Sequence, residues 1–101
     1  MEIETFRWAD LVTVTVTFHP DFLLLQSQLQ ALPRDCLKLL VDNASSADAQ
    51  RALYALCATV PNVHVVVNEA NIGLAAALNQ GVAFARHMRS SAYFLFTARS
   101  G

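Results

Sequence analysis

The sequence predicts an α/β fold: a three-layer sandwich with a four-stranded parallel sheet, in the order β-α-β-α-β-α-β. Three observations predict it. Short β-branched or apolar runs alternate with longer segments of helical periodicity, which implies right-handed crossovers and parallel strands. Each apolar run ends in a polar loop. Only 15% of the residues are charged, against about 25% in ordinary domains, which suits a sheet covered on both faces.

Leu11 to Phe18 reads Leu-Val-Thr-Val-Thr-Val-Thr-Phe, alternating and β-branched, and is the first strand. His19-Pro20-Asp21 starts a helix, with Pro20 at the first helical position and Asp21 in the first turn. Phe22, Leu25, Leu29 and Leu32 form its apolar face, and Pro33 ends it. Cys36 to Val41, nearly continuous in apolar residues, is the second strand. Ser46 is the expected N-cap of a second helix with Asp48 in its first turn and a stripe of Ala49, Leu53, Leu56, Cys57 and Val60. Val63 to Val67 is the third strand. Leu74 to Met88 is a third helix, with Leu74, Leu78, Val82 and Ala85 on its apolar face. Ala92 to Phe96 is the fourth strand.

A chain of 101 residues is one domain, assigned here to 1–101 with residues 1–10 as an N-terminal extension. A hydrophobic content of 54% excludes disorder, and a net charge of −1 gives no support to nucleic-acid binding. No apolar window approaches the ~18 residues that span a bilayer. The acidic N-terminus lacks the basic start of a secretory signal. Cys36 and Cys57 are isolated and read as thiols in a reducing compartment, so a cytoplasmic location is expected. Asn43-Ala44-Ser45 matches a glycosylation acceptor only by chance in that setting.

Ligands of parallel α/β sheets bind beyond the carboxyl ends of the strands. The polar loops placed there are Thr17-Phe18-His19, Asp42 to Ser46, Asn68 to Gly73, and Thr97 to Gly101. Dinucleotide and P-loop fingerprints are excluded, because the glycines are only Gly73, Gly81 and Gly101. No Gly-x-Ser-x-Gly elbow occurs. His19, His64 and His87 show no zinc spacing; they read as structural residues, at a helix start, inside a strand and near a helix C-terminus. Asp42 follows a buried strand and can accept a hydrogen bond from a base N–H, or the polar residues of its loop can simply cap the next helix. Gly73 permits close backbone approach at a helix start. Asn79 lies about two turns beyond Asn71, so the two can project toward one side; alternatively Asn79 is an exposed polar residue of an amphipathic helix.

Three segments in order carry a family resemblance: Val14-Thr15-Val16-Thr17-Phe18-His19-Pro20, Val41-Asp42-Asn43-Ala44-Ser45-Ser46, and Asn71-Ile72-Gly73-Leu74-Ala75-Ala76-Ala77-Leu78-Asn79-Gln80-Gly81. Together they resemble family 2 glycosyltransferases, most closely the rhamnosyltransferase-like branch, from about Val12 to Phe96. The resemblance implies the GT-A nucleotide-diphospho-sugar transferase fold. It implies a UDP- or dTDP-linked sugar donor and a glycan or lipid acceptor. It also implies nucleotide-binding roles: Thr17 and neighbouring His19 line the base pocket, Asp42 accepts from the uracil or thymine ring, and Asn43 and Ser45 shape its loop. Asn71, Gly73 and Asn79 border the nucleotide. Phe18-His19 stands where the family has Tyr-Asn.

The resemblance departs after the fourth strand. There the family holds Mg²⁺ or Mn²⁺ with Asp-Xaa-Asp, and here Thr97 and Arg99 occupy those two positions. Neither replaces a hard anionic ligand, so no metal ligand, no cofactor and no catalytic residue is expected in this chain. The reading is a truncated nucleotide-binding half of a transferase, inactive alone. The alternative is a non-catalytic nucleotide-binding or self-association module. An exposed apolar fourth strand, Tyr93-Phe94-Leu95-Phe96, would favour oligomers. A receiver-like domain is disfavoured, because Thr17-Phe18-His19 brings no acidic cluster to the end of the first strand.

Overall fold

The structure is a computed structural model that describes residues 10–88 and the backbone of 93–100. The extension expected over 1–10 lies outside these residues apart from Asp10, as do the side chains expected to matter in the fourth strand, Thr97 and Arg99 included. Strands β1 (Leu11–Thr17), β2 (Leu37–Asp42), β3 (Val63–Val67) and β4 (Tyr93–Ser100) alternate with helices α1 (Phe22–Gln30), α2 (Ala47–Cys57) and α3 (Leu74–Met88). All pairings are parallel and the sheet order is β3-β2-β1-β4.

The alternation in β1 sorts its side chains to two faces. Val12, Val14 and Val16 pack with Leu37, Leu39 and Val41 of β2 beneath Ala77 and Ala85 of α3. On the opposite face Leu40 of β2 packs with Leu25 and Leu29 of α1 and with Leu53 and Leu56 of α2. The threonines of β1 are buried on that face. Thr13 has no hydrogen-bond partner for its hydroxyl among the described residues, an unmet polar group inside an otherwise apolar layer.

Three sequence expectations need correction. Helix α1 begins at Phe22, and Asp21 is its N-cap, accepting from the Leu24 amide at 3.1 Å. Pro20 and Asp21 are therefore each one step outside the turn expected for them. The buried stripe of α3 is Ala77, Gly81 and Ala85; of the expected face Ala85 is buried and Leu78 packs partly buried against the cluster, while Leu74 is exposed. Small residues at i, i+4 and i+8 let the helix backbone lie close on the sheet, where a stripe of leucines and valines would hold it away. Finally, β4 runs to Ser100, so Thr97 to Ser100 belong to a strand rather than to a loop, with a register shift opposite Thr15 and Thr17.

A Cβ placed on Gly81 would meet Val14 Cγ1 at 2.5 Å and Val41 Cγ2 at 3.1 Å. Gly81→Ala gains about 1 kcal/mol of helix propensity but overpacks a closed layer. We expect a net destabilisation of about 1–3 kcal/mol, read by urea denaturation.

Lys38, on β2, is almost fully buried. Its ammonium donates to the carbonyls of Cys36 at 3.0 Å, Pro61 at 3.1 Å and Arg34 at 3.4 Å. These carbonyls lie on the segments that follow α1 and α2. Burial pushes the Lys38 pKa below its ordinary value of 10.5. Between the folded-state value and 10.5 the unfolded chain binds more protons, so this position adds stability as pH rises through that window. The stability of the wild type relative to Lys38→Met is expected to be flat at lower pH and to climb as pH nears 10.5. Denaturation of both proteins across that range checks it.

Candidate functional site

The parallel register sets Thr17 beside Asp42 at the carboxyl ends of β1 and β2. Thr17 Oγ1 donates to Asp42 Oδ1 at 2.7 Å. Ser45 Oγ donates to the same oxygen at 2.6 Å, and the Ser45 amide donates to Oδ2 at 2.9 Å. The His19 amide donates to Ser45 Oγ at 2.8 Å. One carboxylate thus ties the end of β1 to the turn after β2. Thr17 and Asp42 are both 0% exposed. Hydrogen bonds to an ionised group are worth about 1.5–3 kcal/mol each. Backbone bonds continue the sheet above this point, from the Asn43 amide to the Thr17 carbonyl at 2.8 Å and from the Asn68 amide to the Asp42 carbonyl at 2.9 Å.

Both turns are left-handed where the chain reverses: His19 has φ 48° and Ala44 has φ 65°. For residues with a Cβ this costs about 1–2 kcal/mol. The bonds through Ser45 and Asp42 hold these turns. The His19 ring stays exposed and meets Phe18 edge-on, with centroids 4.3 Å apart.

Asn43 anchors the next loop. It is 3% exposed. Its Oδ1 accepts from the Ile72 amide and from Asn68 Nδ2, each at 3.2 Å, and its Nδ2 donates to the Gly73 carbonyl at 3.1 Å. Gly73 has φ 85°, its amide donates to Asn71 Oδ1 at 2.9 Å, and its carbonyl accepts from Ala77 to start α3. The positive φ is what glycine supplies here.

The structure therefore brings Thr17, Asp42, Ser45 and the His19 backbone into one cluster, and Asn43, Asn71 and Gly73 into an adjoining one. Asn79 joins neither. It is exposed on α3 and sits two positions from Ala77, which turns it away from the sheet. Asn71 precedes α3, so the helical spacing that would align it with Asn79 does not apply. Asp42, read as an acceptor for a base, already accepts three donors of its own chain, leaving one lone pair on Oδ2. Asn68 and Gln80 were missed by the sequence reading. Their amides pair through two bonds of 2.9 and 2.7 Å. The available signal was a polar residue directly after β3 and another bordering the small-residue stripe of α3.

Among the described residues no group of three or more His, Cys, Asp or Glu side chains could hold a metal ion. Those described residues do not fit the Mg²⁺ or Mn²⁺ implied for the family. Depressions also lie elsewhere among the described residues. A cleft of about 480 Å³ near the amino end of β3 is lined by Arg34, Cys57, Thr59, Asn62 and His64. Burial pushes the Cys57 thiol above its ordinary value, away from thiolate character. An apolar groove of about 280 Å³ runs between Phe22, Leu23 and Gln26 of α1 and Ala52, Ala55 and Leu56 of α2.

A parallel sheet whose polar loops meet beyond the strand ends defines an α/β binding domain of the kind that holds ligands at its carboxyl edge. Residues 25–97 match the model of glycosyl transferase family 2, and the chain belongs to that family. Its fold is similar to that of the mannosyltransferase PcManGT from Pyrobaculum calidifontis, a GT-A enzyme solved with GDP-Man and Mn²⁺. The similarity has a TM-score of 0.59 at 23% identity, over 74% of this chain and 24% of the mannosyltransferase. The chain thus spans about a quarter of that protein's length. No curated protein matches the sequence. No described helix is long and apolar enough to cross a membrane.

Asp42→Ala would leave two hydroxyls and one amide without their acceptor. We expect a loss of about 3 kcal/mol or more and faster hydrogen exchange at the Ser45 amide. Asp42→Asn keeps an acceptor oxygen and should lose less than half as much. A loss below about 1 kcal/mol for the alanine variant would show that the carboxylate does not hold the two turns.

Proposed function

We propose that this chain supplies the nucleotide-binding part of a glycosyltransferase that moves a sugar from a nucleoside diphosphate to a glycan or lipid acceptor. The observation that carries the reading is the convergence of Thr17, Asp42 and Ser45 at the carboxyl ends of β1 and β2, in a chain of this family. The proposed nucleotide-binding residues are Thr17, His19, Asp42, Asn43, Ser45, Asn71 and Gly73. Asn79 is left out because of its place on α3.

The chemistry at Asp42 suits a base with a ring N–H. Asp42 is 0% exposed, so its remaining lone pair accepts from the imide of uracil or thymine, or from N1–H of guanine, only when the turn after β2 yields to the base. The mannosyltransferase complex contains a guanine nucleotide, so GDP joins UDP and dTDP among the donors to test. Phe18 and Ile72, each partly exposed at the rim, offer apolar flanks to a base or ribose. Rhamnose as the sugar rests on the motif resemblance, and a cytoplasmic setting on the two thiols. We assign residues 1–101 to one unit. We derive no step through a divalent ion.

A second reading is a binding module without turnover. It is favoured by Thr97 and Arg99 standing where the family has two metal-binding aspartates. The position of β4 at the end of the sheet order leaves a strand edge for self-association with a second copy.

Calorimetric titration with UDP, dTDP and GDP, each with and without Mn²⁺, separates the readings. We expect saturable binding of at least one nucleotide, with Mn²⁺ changing affinity less than twofold. Lack of binding of all three at millimolar concentration would overturn the nucleotide reading and leave the self-association module, to be read from the sedimentation coefficient.

A further inference from the structure

Neither Asn68 nor Gln80 is among the residues assigned above, yet their amide pair reaches the loop that borders the proposed site. Asn68 follows the last residue of β3, and Gln80 lies within α3. Gln80 Nε2 donates to Asn68 Oδ1 at 2.7 Å, and Asn68 Nδ2 donates to Gln80 Oε1 at 2.9 Å. Asn68 Nδ2 also donates to Asn43 Oδ1 at 3.2 Å. Both donor hydrogens of Asn68 are therefore in use, and the contact with Asn43 sets the orientation of the pair, because a flipped Asn68 would turn its oxygen against Asn43 Oδ1.

The consequence passes to Asn43. Its Oδ1 is shared between Asn68 Nδ2 and the Ile72 amide, and its Nδ2 reaches the Gly73 carbonyl. The Ile72 amide and the Gly73 carbonyl select this orientation of Asn43, and the bond from Asn68 Nδ2 to its Oδ1 reinforces it. Without the pair, Asn43 would lose that third bond and hold the two backbone groups less firmly. Residues 69–73 are exposed and bury little apolar surface, so polar bonds rather than packing must locate them.

We propose that Asn68 and Gln80 are positioning residues, forming an amide latch that acts through Asn43 to hold the Ile72–Gly73 segment, and with it the start of α3, in the conformation that accepts a nucleotide. Neither residue touches the ligand. The inference rests on the nucleotide-binding reading of the site. The latch couples the end of β3, the turn after β2 and the α3 start into one rigid border. Breaking it frees the border without opening the Thr17–Asp42–Ser45 cluster, which has its own bonds.

The test uses the full chain and three readouts: affinity for UDP and GDP, hydrogen exchange at the Ile72 amide, and urea denaturation. The variants are Asn68→Ala, Gln80→Ala and the exchange Asn68→Gln with Gln80→Asn, which keeps the summed length of the two side chains. Each alanine variant should weaken nucleotide binding about fivefold or more and speed Ile72 exchange by about tenfold, within the usual range of coupling between bonded side chains. The exchanged pair should recover both. Gln80→Glu keeps the bond from Asn68 Nδ2 but sets an acceptor oxygen against Asn68 Oδ1, and replaces the alanine variants, with the same expected losses, should these fail to fold. Unchanged affinity in the single variants, with the wild type binding, overturns the latch alone. A wild type that binds neither nucleotide overturns the nucleotide reading and the latch's role with it. Affinity that falls in the single variants but is not restored in the exchanged pair also counts against a positioning role.

Discussion

The arrangement at the carboxyl edge depends on one buried carboxylate. Asp42 is 0% exposed and accepts from Thr17, from the Ser45 hydroxyl and from the Ser45 amide. An ionised carboxylate closed off from water is tolerable only when its lone pairs are met. Here three of the four are met, by the end of β1 and by the turn after β2, so the need of one buried group fixes two segments of backbone. The left-handed His19 and Ala44 are the visible consequence. Neither residue favours that conformation, and each is held by bonds that lead back to Asp42 through Ser45.

A second constraint comes from the other side of the sheet. Ala77, Gly81 and Ala85 bring α3 down onto Val14, Leu39 and Val41. That close approach sets the height at which the start of α3 meets the loop after β3, and so decides that Asn43 can reach both Ile72 and Gly73. The packing of one layer and the polar contacts of the edge are thus parts of one geometry.

Much of this was legible in the chain. The threonine–valine alternation of β1, the continuous apolar β2 and the N-cap at Ser46 are local signals, and the structure has them where the sequence places them. Local reasoning failed where a tertiary contact decides. The apolar face of α3 looked like its large residues, because periodicity does not reveal that the helix must approach the sheet closely. Asn79 looked able to project with Asn71 because helical spacing was counted back across the loop that precedes Leu74. Asp42 was legible as a carboxylate at the end of a buried strand, but its bond from Thr17 was not, since that contact follows from strand register rather than from sequence spacing. Asn68 and Gln80 gave almost no signal. An amide in a loop and another on a helix become a pair only once the crossover is folded.

Under the proposed function a nucleotide sits at the carboxyl edge, while the polar cleft bordered by Arg34, Cys57 and His64 lies near the amino end of β3. The most direct measurement maps backbone amide shifts of the labelled protein on addition of UDP and of GDP. The account predicts shifts concentrated at residues 17–19, 42–46 and 71–74, with Arg34 and residues 57–64 unmoved. Shifts centred on Arg34 and residues 57–64 instead would contradict it.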